Sequence, residues 1–365
     1  MDDSLTSFIE EVCGDSHLRV EDDLGGGYVR LRISEAERRQ AKQDIRSVED
    51  VVIEMLRNAR DAHSRNIFIA TSREGSVRNI TMIDDGDGVL QNMQQEIFKP
   101  RVTSKLDSMQ MDKWGVHGRG MALYSIKSNV DEIKIVQSAP GFGTSFVLTV
   151  NLADLPEKTD QSSFPTLSID ENDASIIFRG PKNIIRTTVE FAYSCQEKCS
   201  IYLGSTTDIA ATIYEYGIST VSKSKRLFKD DCATTSLVKR LAYASDPESF
   251  SYIASTIGLN ISSRSARRIL SGEIKPMEDT LTTIMDKSKF GNTYRTKSLP
   301  DKKKLLEKDV RGLKILDEDL DMFRDSVKVG YRSLARDYYL EPSVVPDIKI
   351  TSDELVIRIP LSKIR

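Results

Sequence analysis

Apolar side chains at Val48, Val51, Val52, Met55, Leu56 and Ala59 recur at helical spacing, which predicts an amphipathic helix with one buried stripe. Ser47, with Asp50 three residues later, marks its start. Upstream, Tyr28 to Ile33 alternates as a strand does, and Ser34 with Glu37 forms a capping box for a mostly polar helix from Glu35 to about Ile45. Downstream, Asn66 to Thr71 and Val77 to Ile83 read as a strand pair around Glu74-Gly75. Gln91 to Phe98 has a helical pattern that stops before Lys99-Pro100, and Asp131–Gln137 and Thr144–Leu152 read as further strands. Pro156 to Ser163 is polar and aperiodic, as a linker is. Between 165 and 228 the pattern gives strands at Leu167 to Ile169, Ser175 to Phe178 and Cys199 to Leu203. The same stretch carries helices at Asn183 to Cys195 and Thr207 to Tyr216. Further helices follow, and two alternating runs around Ser352-Asp353 predict a closing hairpin.

The expected class is α+β. Its parts are an extension (1–24), an α/β sandwich (25–155), a linker (156–164), a small α/β unit (165–228), a helical region (229–290), and a tail of basic linker, helices and hairpin (291–365).

Candidate chemistry concentrates between Val52 and Thr144. Glu54 and Asn58 are four residues apart and share one face of the predicted helix. The amide can join phosphate oxygens around Mg²⁺, and the carboxylate can take a proton from an attacking water. Asp84 ends an apolar strand at the turn Asp84-Asp-Gly86-Asp-Gly88, where a carboxylate can accept from an adenine amino group while glycine backbone passes close to the base. Gly115, Gly118 and Gly120 form a loop before the helical run from Met121, suited to a triphosphate. Gly141-Phe-Gly143-Thr144 lies between two strand-like runs.

These motifs, in this order, resemble the GHKL ATPase superfamily of gyrase, Hsp90, histidine kinases and MutL, over roughly residues 25–155. The resemblance implies a Bergerat-type sandwich that binds ATP and Mg²⁺ under a mobile lid. It implies Glu54 as general base, Asn58 on Mg²⁺, Asp84 on adenine, and Thr144 nearby through a hydroxyl or water. The candidate nucleotide set is completed by Asp61, Gly86, Gly88, Thr103, Ser104, Lys105, Gly115, Gly118, Arg119, Gly120 and Met121. The Arg-Asn58-Ala-Arg-Asp61-Ala62 and Thr103-Ser104-Lys105 runs look like MutL and type II topoisomerases, whereas Gly118-Arg119-Gly120-Met121 looks like histidine kinases.

In the C-terminal half, Tyr252 to Leu281 resembles a Cro/repressor helix-turn-helix, with an interval from Gly258 to Gly272 about two residues longer than usual. Ser262 to Leu270 is then the recognition helix. Ser262, Ser263, Arg264 and Arg267 would face a major groove, with Arg268 and Lys275 near phosphates. A plain helical bundle with a basic solvated helix is the alternative.

The 365-residue chain has a net charge of −3, so any nucleic-acid contact must come from a local patch, such as the basic stretch 287–308. No apolar run approaches the ~18 residues of a membrane span. With no signal-peptide pattern at the start, a cytoplasmic protein is expected. Cys13, Cys195, Cys199 and Cys232 are too few for a disulfide scaffold and read as buried thiols. The leading functional expectation is an ATPase whose nucleotide state switches conformation through ATP-dependent homodimerisation and is coupled to double-stranded DNA or a protein partner. The alternatives are a histidine-kinase or anti-sigma type kinase, for which His17 is a poor acceptor, and a non-hydrolysing ATP sensor.

Overall fold

The computed structural model describes residues 20–103, 110–117, 120–169, 176–196, 198–222, 226, 234–287, 317–338, 340–342, 344, 346–350 and 355–361. Cys13, His17, Ser104, Lys105, Gly118, Arg119, Cys232 and residues 288–308 lie outside them. The chain divides into two units, Met1–Lys289 and Phe290–Arg365.

The first unit opens with a hairpin of β1 (Val20–Gly25) and β2 (Tyr28–Leu31), then α1 (Glu35–Asp44) and α2 (Val48–Asp61). Both helices start where the caps predict. The Ser34 hydroxyl accepts from the Glu37 N–H at 3.2 Å while Glu37 reaches back, and Ser47 accepts from Asp50 at 3.3 Å. Next come β3 (Asn66–Glu74), β4 (Val77–Asp84), β5 (Val102–Thr103), a hairpin of β6 (Gln110–Asp112) and β7 (Gly115–His117), and α3 (Ala122–Lys127). They are followed by β8 (Glu132–Ala139), β9 (Gly143–Asn151), a hairpin of β10 (Thr166–Ile169) and β11 (Ile176–Arg179), α4 (Ile184–Ser194), β12 (Ser200–Gly204) and α5 (Thr206–Thr220). A 3₁₀ stretch at Leu237–Tyr243 leads into α6 (Pro247–Thr256), α7 (Ser263–Leu270) and α8 (Thr280–Lys287). The second unit holds α9 (Asp317–Asp337) and the antiparallel hairpin of β13 (Asp347–Ile350) and β14 (Leu355–Arg358).

The central sheet has the order β12-β3-β4-β9-β8, with β12 parallel to β3 and the other pairs antiparallel. Strand alternation sends its side chains into two cores. Ile67, Ile69, Ile80, Met82, Phe146 and Leu148 pack with the stripe of α2. Phe68, Ala70 and Ile83 point the other way, into a core shared with α5, α6 and α7. Both faces of the sheet are therefore covered, and the class is α+β.

Three parts depart from expectation. Gln91–Phe98 forms two 3₁₀ turns, Gln91–Met93 and Glu96–Phe98, in place of a helix. Neither has a side-chain cap, and burial of Met93, Ile97 and Phe98 fixes them instead. The stretch 165–228 does not stand apart as a small unit, because β12 is the edge strand of the central sheet. Nor is 156–163 a loose connection. Glu157 accepts from Arg78 at 2.7 and 2.9 Å and from Arg73 at 3.0 Å, Pro156 O accepts from Val48 N, and Glu49 holds Lys158 N.

Arg78 and Glu157 are almost wholly buried, so removing one partner strands the other charge. Glu157→Ala is expected to lower stability by about 3–5 kcal/mol, read as a lower urea midpoint at unchanged slope.

Candidate functional site

A cavity of about 660 Å³ opens beside α2, within the size range of small-molecule sites. Its wall includes Glu54, Asn58, Asp61, Asp84, Gly88, Thr103, Gly120, Met121 and Thr144, so residues from motifs far apart in sequence meet on one surface. Gly86 stands at the same turn. Gly115 lies in β7, opposite Asp112.

Asp84 forms the floor. It is buried, and its Oδ1 accepts from the Gly86 N–H at 2.8 Å and from the Ser64 hydroxyl at 3.1 Å. Burial pushes its carboxyl up to about 6, against the pull of those hydrogen bonds. Thr144 sits directly across on β9, with its hydroxyl 2.9 Å from that of Ser138. The close approach of the backbones here requires glycine. A Cβ on Gly143 (φ +85) would lie 1.9 Å from Asp84 O, and one on Gly88 (φ +74) 2.0 Å from Ala139 O.

The α2 wall carries the reactive groups. The stripe that fixes this helix in the core turns Glu54 and Asn58 toward the cavity. Burial raises the Glu54 carboxyl above the usual range, and the Arg57 guanidinium partly opposes that rise. Asn58 Nδ2 is buried and has no hydrogen-bond partner among the described residues. An unmatched amide in a polar cavity wall fits a ligand that supplies oxygen atoms, and its carbonyl suits a hard cation carried on phosphate. Asp61 accepts from Arg60 Nε at 2.9 Å.

Several contributors were not singled out in the sequence. Arg57, almost fully buried, pairs with both Glu54 and Asp112, the latter on the β6–β7 hairpin. Arg60 adds a 3.6 Å contact to Asp112, Lys113 pairs with Glu190 of α4 at 2.7 Å, and the Trp114 ring lies 5.6 Å from that of Phe191. This hairpin, between Thr103 and α3, is thereby fastened to α2 and α4. The Glu54–Arg57 pair was readable from its spacing of three. Asp112 was not, because its partner lies 55 positions away. Ser64 and Ser138 carry no motif signal.

On the far face of the sheet, α6 and α7 are joined through Gly258 (φ +83). This connection is tied to the strands, with Thr81 Oγ1 donating to Gly258 O at 3.1 Å and Ser145 Oγ to Ile257 O at 2.7 Å. Ser262 caps α7. Arg264, Arg267, Arg268 and Lys275 are exposed, Ser263 is half-buried, and Arg268 pairs with Glu273 at 3.0 Å.

Residues 45–173 match the family model described as histidine kinase-, DNA gyrase B-, and HSP90-like ATPase. The chain is similar to the DNA mismatch repair protein MutL of Clostridium beijerinckii, 37% identical over 97 residues, and to that of Lactiplantibacillus plantarum, 40% identical over 98. It also resembles hybrid signal transduction histidine kinase F of Dictyostelium discoideum, 29% identical over 100 residues. Each MutL match covers 26% of this chain and 14% of the relative, and the kinase match covers 27% and 9%. A buried strand-end carboxylate, a facing threonine and an acid–amide pair on one helix thus coincide with the matched segment, and this part of the chain is a domain of the GHKL superfamily.

Proposed function

We propose that this protein binds ATP with Mg²⁺ in the cavity beside α2 and hydrolyses it, and that its nucleotide state controls dimerisation and contact with double-stranded DNA. The observation that carries the reading is the convergence of Asp84, Asn58 and Glu54 on one cavity. Asp84, when ionised, accepts from the adenine amino group, and Thr144 supports the same edge. Asn58 holds the phosphate-bound Mg²⁺, which when bound neutralises phosphate charge. Glu54 takes the proton of the attacking water, and its raised proton affinity suits that work. Thr103, Gly120 and Met121 line the remaining wall, and the sequence motifs point to Ser104, Lys105, Gly118 and Arg119 as further phosphate ligands.

The DNA part rests on two supports. The similar MutL proteins are named for DNA mismatch repair. The exposed Arg264, Arg267, Arg268 and Lys275 form a local basic surface on and beside α7, in a chain whose net charge is −3. A sensor that binds ATP with little turnover is the second reading. It is favoured by the pairing of Glu54 with Arg57, since a carboxylate engaged by a guanidinium is less free to take the proton of a water.

Phosphate release with and without double-stranded DNA tests both readings. Glu54→Ala is expected to lower turnover by ~10²–10⁴-fold while ATP still binds. Absence of turnover in the parent protein, with ATP bound, supports the sensor. DNA stimulation that is lost in Arg264→Ala/Arg267→Ala supports the DNA coupling, and turnover indifferent to DNA removes it. Asn58→Ala is expected to abolish Mg²⁺-dependent ATP binding in calorimetry, and unchanged affinity removes the metal role. Because an ionised Asp84 accepts more strongly than a protonated one and its carboxyl lies at about 6, ATP affinity should fall as pH drops from about 7.5 to about 5. Asp84→Ala, measured at both values, corrects for titration of the phosphates, and the ratio of the two affinities should shrink at low pH.

A further inference from the structure

Outside the cavity, the described residues hold one closely apposed pair of thiols. Cys195 caps α4 and Cys199 precedes β12, and their sulfurs lie 3.0 Å apart, about 1 Å beyond a covalent S–S bond. Both side chains are buried. The backbone keeps them in register, since Cys195 O accepts from Lys198 N at 2.8 Å and from Cys199 N at 3.0 Å. No group of three metal-ligating side chains occurs among the described residues, so the pair falls short of a structural zinc site. Two thiols held in one turn by main-chain hydrogen bonds are instead placed for thiol–disulfide chemistry.

We propose that Cys195 and Cys199 are a peroxide-oxidisable pair that forms an intrachain disulfide between the end of α4 and the start of β12. Cys199 is the attacking sulfur. Of the two buried thiols it is the more exposed, 7% against 4%, and the Arg60 guanidinium near both favours a thiolate. The Cys199 thiolate attacks a hydroperoxide. An S–O bond forms, the O–O bond breaks, and one oxygen leaves as water after taking a proton, which gives a sulfenic acid. Cys195 then attacks that sulfur. The S–S bond forms, the S–O bond breaks, and the hydroxyl departs as water with the Cys195 proton. In sum, two thiols and one hydrogen peroxide become one disulfide and two waters. Access comes through the intervening turn, whose Gln196 and Lys198 are exposed and which follows a helix end, where local opening is easiest.

Placement gives the reaction a consequence. Arg60, whose charge acts on both thiols, also contacts Asp61 and Asp112. The helix that ends at Cys195 carries Glu190 and Phe191, the partners of Lys113 and Trp114. The oxidation state of the pair therefore bears on the fastening of the β6–β7 hairpin.

The test uses the full chain, treated with hydrogen peroxide, denatured in alkylating reagent and digested with trypsin without reductant. Trypsin cuts after Lys198, which separates peptide 187–198, with Cys195, from peptide 199–223, with Cys199. The expected product is these two peptides joined, lighter by two hydrogen atoms than their sum, and separated by reductant. In Cys195→Ser, the intermediate at Cys199 should accumulate and be trapped by dimedone. Recovery of both peptides as separately alkylated thiols overturns the proposal, as does a link from either cysteine to Cys13 or Cys232. Dimedone labelling of Cys195 in Cys199→Ser, with none of Cys199 in Cys195→Ser, reverses and so overturns the assigned roles.

Discussion

A carboxylate buried at the end of a strand is the constraint around which the cavity is built. Asp84 has left water, and an ionised group in that position is costly unless hydrogen bonds replace the solvent. Gly86 and Ser64 supply two of them. Each donor constrains another segment. Ser64 follows the end of α2, so the helix bearing Glu54 and Asn58 is tied to the strand that ends at Asp84. Gly143 brings β9 against the Asp84 backbone at a distance no other residue allows, and that places Thr144. The α2 wall and Thr144 are thus both positioned through a single acid.

What was legible in the sequence is what short-range physics determines. The stripe of α2, the caps at Ser34 and Ser47, the alternation of β3 and β4, and the placement of Asp84 at a glycine turn follow from neighbours a few positions apart. The closing hairpin of the second unit is equally local. Long-range pairing was not legible. The parallel union of β12 with β3 joins segments about 130 positions apart, and no residue pattern in either strand announces its partner. Burial of Glu157 against Arg78 likewise turned a polar stretch that reads as a linker into a fixed one. Within the site, Glu54 and Asn58 were readable as a helix face. Asp112 and Ser138 act only through the tertiary arrangement.

The helices beyond the family match also serve the sheet. Phe68 and Ile83 would present an apolar surface to water without the core that α5, α6 and α7 complete. The connection around Gly258 is bonded to side chains of β4 and β9, the two strands that carry Asp84 and Thr144. A shift in those strands would be felt on both faces, because packed side chains transmit displacement with little compliance.

The parallel edge strand has a consequence for the self-sufficiency of the matched segment. The segment shared with histidine kinase-, gyrase- and HSP90-like proteins ends at residue 173, yet the sheet it belongs to is finished by β12, which begins at Ser200. The matched segment and the physically self-sufficient unit are thus of different lengths. Passed on or excised by itself, the recognisable segment would carry an open β3 edge and an uncovered apolar face, both of which invite aggregation. The matched segment therefore depends for its solubility on residues that lie beyond the match, from Ser200 to the helices that cover Phe68 and Ile83.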